Sequence, residues 1–199
     1  MSQASSDETP SRREQILATA ADLFAARGFH GVSVADLGTA CGISGPALYK
    51  HFASKDAVLA EMLVSISEQL LAVGTARVSA AHGADQALRA LVDWHVDFAL
   101  NHRALIIVQD RDWESLPVQA RELVRTLQRA YVDLWAAQLR SLHDRLDLTT
   151  ARAMAHAAFG LINSTPRTGA LPDPSLHDVL IAMALRALLP APGGPARLG

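Results

Sequence analysis

The sequence predicts an all-α fold, a small three-helix head at the N-terminus carrying a larger helical body, about nine helices in all. Three features carry that expectation. Half of the 199 residues are hydrophobic, and most of these are Ala, Leu and Val, a mixture weighted toward side chains that lose little freedom in a helix. Apolar residues recur at three- and four-residue spacing, and no stretch alternates with period two for long enough to make a strand. Ser, Thr and Asp stand before the apolar stripes and Gly or Pro after them, as at helix starts and stops.

Ser11 and Glu14 form a capping box, followed by a stripe of Ile16, Leu17, Ala20, Leu23 and Phe24 that Gly28 ends. Ser33 with Asp36 opens a short second helix to about Ala40, with Leu37 facing inward. Cys41-Gly42-Ile43 makes a turn, and Ser44 caps a third helix expected to reach Phe52. Ser54 with Asp56 starts a long fourth helix striped by Leu59, Leu63, Ile66, Leu70 and Val73. A break at His82-Gly83 precedes a fifth helix, marked by Leu88, Leu91, Val92, His95, Val96 and Ala99. Arg103 to Asp110 is a short sixth. Leu116-Pro117 resets the chain. A seventh helix then runs to about Leu146, its stripe expected at Leu123, Leu127, Tyr131, Leu134, Gln138 and Leu142. Thr149 and Thr150 open an eighth that ends at Thr165-Pro166, and Asp173-Pro174 opens a ninth that ends at Leu189-Pro190. Head and body are thus expected at 11–53 and 54–189, with disordered tails at 1–10 and 190–199.

Composition excludes several classes. No apolar run is expected to span a membrane, Ile181 to Leu189 being far too short, and the acidic, Ser-rich start does not resemble a secretory signal. The single cysteine, Cys41, builds no internal disulfide and fits a cytoplasmic location. Its place in a turn without a basic cluster marks it as a packing residue. The eight histidines show no zinc-protease spacing, and Asp110, Asp112 and Glu114 lack the glycine and distal glutamate of a calcium loop, so no metal and no cofactor are expected. A solvated acidic corner or arginine partners within the chain are the expected roles of those acids. No nucleophile–base pair or phosphate loop points to an enzyme.

Net charge is −2, and residues 1–60 hold five basic side chains against six acidic ones, so nucleic-acid binding would depend on where charge is placed. The only two lysines of the chain, Lys50 and Lys55, fall in one segment. There, two short helices joined by a glycine-containing turn have the dimensions of a helix-turn-helix. Ala35, Leu37, Ile43, Leu48 and Phe52 can fill its inside. Gly45, Pro46, Ala47, Tyr49, Lys50 and His51 remain for the outward face, where small residues permit close approach to bases. Ser33, Ser44 and Ser54 mark helix N-termini whose amides can hold phosphate; Tyr49, Lys50 and Lys55 can add contacts, and His51 can either do so or cap the end of its helix.

The run from Val34 through Leu59, especially Leu48-Tyr49-x-His51-Phe52 followed by Ser54-Lys55, resembles the signature of the tetracycline-repressor (TetR) family, as does Ile16 to Phe29. The resemblance covers about residues 12–63. It implies a three-helix DNA-binding head, a connecting fourth helix, and a divergent body that binds an effector and dimerises. Gly38 stands where that family more often has a better helix former, which is expected to loosen the second helix.

In the body, Trp94, Phe98, Trp113, Tyr131 and Trp135 each read singly as core residues, and as a group they are candidates for the wall of an apolar ligand chamber, with Arg111 and Asn163 among the polar candidates. Ala153, Ala155, Ala157, Ala158 and Gly160 keep the eighth helix thin, and Leu176, Val179, Leu180, Met183 and Leu188 give the ninth an apolar face. Such a pair, 151–165 with 174–189, can pack on its two-fold copy as a homodimer. The leading expectation is a repressor released from a palindromic double-stranded DNA operator by a small apolar effector. The stretch Gly160 to Pro166 and the aromatic body look similar to family members linked to lipid metabolism, which favours a fatty acyl thioester. The alternative is an architectural DNA-binding protein that needs no effector.

Overall fold

The computed structural model describes residues 11–168 and 171–189, and the expected tails lie outside them. The described chain is helical, in the order α1 (Arg12–Arg27), α2 (Val34–Ala40), α3 (Gly45–Leu48), α4 (Lys55–Ala80), α5 (Ala84–Asn101), α6 (Arg103–Asp112), a 3-10 turn (Trp113–Ser115), α7 (Val118–Leu142), α8 (Leu148–Ile162), a second 3-10 turn (Thr165–Arg167) and α9 (Asp173–Leu188). No strand occurs among the described residues. The helix starts follow from local chemistry. The capping boxes at Ser11 and Ser33 both form, and Ser44, Ser54 and Asp147 each accept from the amide three residues on.

Two hydrophobic cores organise the molecule. The first joins α1, α2, α3 and the start of α4 through Ile16, Phe24, Leu37, Leu48, Leu59 and Leu63, and it is completed by Val108, Leu116 and Val124 from the body. The second lies among α4, α5, α7, α8 and α9, around Leu91, Val96, Trp135, Leu139, Ala155 and Leu180. Helix α6 belongs to both, giving Ile106 to the body core and Val108 to the head core. Ion pairs and hydrogen bonds fasten the body helices together: Arg77–Asp93 and Arg103–Asp173 at 2.6 Å, Arg152–Asp133 at 2.6 Å, and His143 Nε2 on the Leu188 carbonyl at 2.7 Å.

Several sequence expectations shift. Helix α4 does reach the length and apolarity of a membrane span, with mean hydropathy 1.5 over its most apolar window. Its Val58, Leu59, Met62, Leu63 and Ile66 are instead buried against other helices, so its apolarity serves the core. It lies close to α7 because Gly74 has no side chain: a Cβ there would stand 2.8 Å from Tyr131 Cε2 and 3.3 Å from Leu91 Cδ2. The buried face of α7 is Val124, Tyr131, Val132, Trp135, Ala136 and Leu139, rotated from the expected leucine stripe, and Leu123 is exposed. Helix α8 ends at Ile162, before the 3-10 turn at Thr165. Ala35, expected inside the head, is exposed.

Candidate functional site

The head has the helix-turn-helix geometry. Helix α2 meets α3 across a turn at Cys41–Ser44, in which Gly42 takes φ +64° and the Ile43 amide donates to the Gly38 carbonyl at 2.8 Å. The approach is close. A Cβ at Gly38 would stand 2.8 Å from the Ile43 carbonyl oxygen and 3.0 Å from the Gly45 nitrogen. Gly38 is therefore the contact that seats α3 on α2, and not a weakness in α2. The regular part of α3 is only Gly45–Leu48, shorter than expected. Beyond it the chain continues in tighter turns, Lys50 N to Ala47 O and His51 N to Leu48 O, and closes with Phe52 N on Leu48 O at 3.0 Å. Leu48 and Phe52 bury themselves, so the next positions are thrown outward.

On that outward surface Ser44, Pro46, Tyr49 and Lys50 are exposed, and Gly45, Ala47 and His51 are half-buried. Tyr49 is 56% exposed despite its size. Ser33 lies at the α2 N-terminus with its hydroxyl engaged by Asp36, whose carboxyl it holds below the ordinary range. Lys55 has a different role from the one the sequence suggested. Its ammonium donates to the Phe29 and Val32 carbonyls at 2.8 and 2.7 Å and sits 4.2 Å from the Phe29 ring centroid, closing the α1–α2 loop. Two arginines that the sequence did not mark also stiffen the head. Arg12 donates to the Cys41 carbonyl, and Arg13 pairs with Glu61, donates to the His51 carbonyl and lies over Phe52. Cys41 is buried, which pushes its thiol up.

The body brings Phe98, Tyr131 and Trp135 together around two residues the aromatic count had left out, His95 and Phe159. His95 stacks on Phe159 at 4.6 Å and on Tyr131 at 5.7 Å, and Trp135 meets Phe159 edge-on at 4.9 Å. The His95 ring is satisfied when Nε2 carries the proton, donating to Asn163 Oδ1 at 3.2 Å while Nδ1 accepts from the Tyr131 hydroxyl at 3.4 Å. Burial pushes its pKa down to about 4 against the Asn163 bond, so the imidazole is neutral at physiological pH. Burial likewise raises the Tyr131 phenol. The Trp135 indole N–H is buried beside Tyr131, and its interaction with the phenol partly opposes the effect of burial there.

Asn163 also faces outward. With Ile106, Ile107, Asp110, Arg111, Pro166 and Arg167 it lines a pocket of about 430 Å³ beside α6. Arg111 therefore joins Asn163, but it also donates to the Phe24 and Ala25 carbonyls at the end of α1 and pairs with Asp112. Asp112 is buried and accepts from the Phe29 amide at 3.2 Å. Trp113 lies apart from the aromatic cluster, half-buried against the head core with Arg125 5.6 Å from its ring. Trp94 is at the edge of the body core, its indole donating to the Leu70 carbonyl at 3.3 Å. The acids of the α6–α7 corner take arginine partners as expected, Glu114 with Arg121 at 2.9 Å and Asp110 with Arg167 at 3.9 Å.

Ala151, Ala155 and Ala158 turn into the body, which leaves Ala153, Ala157 and Gly160 on the outer face of α8. Beside them Leu161, Leu171, Leu176, Val179, Leu180 and Met183 line an apolar groove of about 530 Å³, with Val179 and Met183 exposed.

This geometry has relatives. The sequence profile of bacterial regulatory proteins of the tetR family matches residues 16–62, and that of the tetracyclin repressor-like C-terminal domain matches residues 81–188. The chain belongs to the TetR family. KstR2, an HTH-type transcriptional repressor of Rhodococcus jostii strain RHA1, is 32% identical over 133 residues, 65% of this chain and 64% of that protein, so the matched stretch spans less than two thirds of that relative. The TetR-family regulator PfmR of Thermus thermophilus superposes with a TM-score of 0.80 at 24% identity, covering 94% of this chain and all of that one. FadR of Bacillus subtilis, a transcriptional regulator solved in complex with stearoyl-CoA, superposes with a TM-score of 0.69 at 15% identity, covering 87% of this chain and 97% of that one. The TetR-family chain described here is thus a transcriptional regulator, and the homologues it resembles are regulators rather than enzymes.

Proposed function

We propose that this TetR-family regulator is a homodimeric repressor that binds a palindromic DNA operator through Tyr49, Lys50 and the small residues of α3, and that a fatty acyl thioester releases it. On this reading the head is residues 11–53 and the body 54–189, and the protein works on DNA in the cytoplasm. The carrying observation is Asn163, which joins two environments of opposite character. On its inner side it accepts from the neutral His95 of a closely packed aromatic cluster that an acyl chain would have to part, and on its outer side it lines a pocket with Arg111, Arg167 and Asp110. An apolar tail with an anionic head group matches that pairing, as an arginine guanidinium suits phosphate. The exposed apolar groove of α8 and α9 supports pairing through 151–165 and 174–189.

Operator release would follow from a shift between two spacings of the paired heads. The test is footprinting and a gel shift on the DNA upstream of the protein's own gene, each repeated with acyl-CoA thioesters of increasing chain length. The expected result is one protected palindrome, released by thioesters of a preferred length and not by free coenzyme A. Uniform coverage of DNA, indifferent to every thioester, would favour an architectural role and overturn the proposal.

A further inference from the structure

Asp93 and Asp97 are four residues apart on α5, so their side chains share one face of the helix, and His177 in the second turn of α9 stands against that face. One ligand atom from each of the three lies within 4.8 Å of the others, and all three residues are half-buried. His177 Nε2 is 3.4 Å from Asp97 Oδ1 and 3.9 Å from Asp93 Oδ1. These separations exceed a charge-assisted hydrogen bond of about 2.8 Å. The Asp97 distance equals the edge of a coordination tetrahedron, about 3.4 Å for metal–ligand bonds of about 2.1 Å, and the Asp93 oxygen needs to close in by about 0.5 Å.

The surroundings favour a cation over a bare cluster. His177 Nδ1 lies 3.4 Å from Asp178 Oδ1. A proton held there by that carboxylate leaves the Nε2 lone pair facing two carboxylates, the tautomer of a metal-binding histidine with its supporting acid. Arg77 pairs with the other oxygen of Asp93, Oδ2, at 2.6 Å, so it orients that carboxylate and leaves Oδ1 toward His177. Arg77 also offsets part of the negative charge without filling the space between the three ligands.

We propose that Asp93, Asp97 and His177 bind one divalent transition-metal ion of the zinc, cobalt or nickel class, with water completing the shell, and that the ion ties α9 to α5. One imidazole nitrogen with two carboxylate oxygens suits these borderline ions. The site is separate from the effector reading and does not depend on it. Because α9 also carries Val179 and Met183 on its outer face, the ion would stabilise the helix that presents them.

Untagged full-length protein, stripped with a chelator and exchanged into metal-free buffer, is titrated with zinc chloride and, separately, cobalt chloride. The expected outcome is one ion bound per chain, a rise in the thermal unfolding midpoint, and visible cobalt absorption of a low-symmetry nitrogen–oxygen site. His177→Gln and Asp97→Asn should each abolish all three signals, and Asp178→Asn should weaken binding by about tenfold. Circular dichroism of the metal-free variants checks their folding, and Asp97→Asn is the milder change should His177→Gln not fold. No uptake at one equivalent by the wild-type protein would overturn the site. Uptake that persists in both ligand variants would overturn it equally, by placing the ion on other histidines.

Discussion

Substituting Gly38 by Ala sets two rules against each other, and the structure decides the sign. In the interior of a helix the change ordinarily stabilises by about 1 kcal/mol, because glycine has more backbone freedom to lose. At Gly38 the added Cβ would meet the Ile43 carbonyl oxygen at 2.8 Å, the Gly45 nitrogen at 3.0 Å and the Ser44 carbonyl carbon at 3.2 Å. All three are backbone atoms, so no rotamer change relieves them and α3 has to move off α2. Overpacking of this kind costs about 1–3 kcal/mol. Net destabilisation is therefore about 1 kcal/mol, or a midpoint lowered by about 2–4 °C for a chain of this size. Because the relief displaces α3, operator affinity should fall by more than the stability loss accounts for. Thermal unfolding and fluorescence anisotropy on operator DNA measure the two effects. Gly160→Ala in α8 is the control, since a Cβ there meets nothing within 4 Å in the single chain. It should stabilise a monomer slightly, and weaken association if a second copy packs on that face. A Gly38→Ala protein that melts higher and binds DNA unchanged would refute the close-approach argument.

Three further outcomes are expected. Tyr49→Ala and Lys50→Ala, on exposed side chains, should leave the fold intact and each weaken operator binding at least tenfold; wild-type affinity in both would move the reading surface elsewhere. Met183→Asp and Ala157→Asp place charge on the outer face of α9 and α8 and should yield monomers in sedimentation, whereas unchanged dimers would point to another interface. His95 gives a pH dependence. Its folded pKa of about 4 lies below the ordinary value of about 6.5, so the unfolded chain takes up a proton that the fold refuses. That contribution is complete above about pH 6.5 and is lost as pH falls toward about 4, to a limit of about 3 kcal/mol. Half-buried His102 is shifted the same way, so the diagnostic quantity is the slope between about pH 6.5 and 4.5 relative to a His95→Phe variant. Equal slopes would refute the buried-neutral assignment.

What the sequence disclosed was what local chemistry decides. The starts of α1, α2, α3 and α4 were legible because each needs only a hydroxyl and an amide three residues apart. The face of α7 was not, because leucines occur all round that helix and only the packing of Tyr131 into the space left by Gly74 fixes its rotation. Lys55 looked like a phosphate ligand because a lysine beside a helix-turn-helix usually meets solvent; the carbonyls that capture it belong to a loop more than 20 residues upstream. Asp93, Asp97 and His177 could not be grouped at all, since the third lies on a helix 80 residues further along the chain. Arg111 and Trp113 were grouped with Tyr131 by proximity of helices, but the fold places them at the joint between the two cores.

That joint shows how the proposed effector could reach the DNA. Helix α6 packs Ile106 into the body core and Val108 into the head core, two residues apart on one rigid turn. Three residues beyond Val108, Arg111 holds the carbonyls that end α1, and Asp112 holds the Phe29 amide that follows them. A body ligand that displaces Asn163 or Ile106 has no slack through which to lose that movement, because close-packed cores transmit displacement rather than absorb it. The Gly38 contact and the turn that follows it hold α3 closely on α2, so the two would move together. On the proposed function the head would swing as a unit about α6, with α3 carried on it. Its internal helix-turn-helix geometry would be kept, and the distance between the two heads of the proposed dimer would change. On that reading regulation would act through head spacing rather than through unfolding of the reading helix.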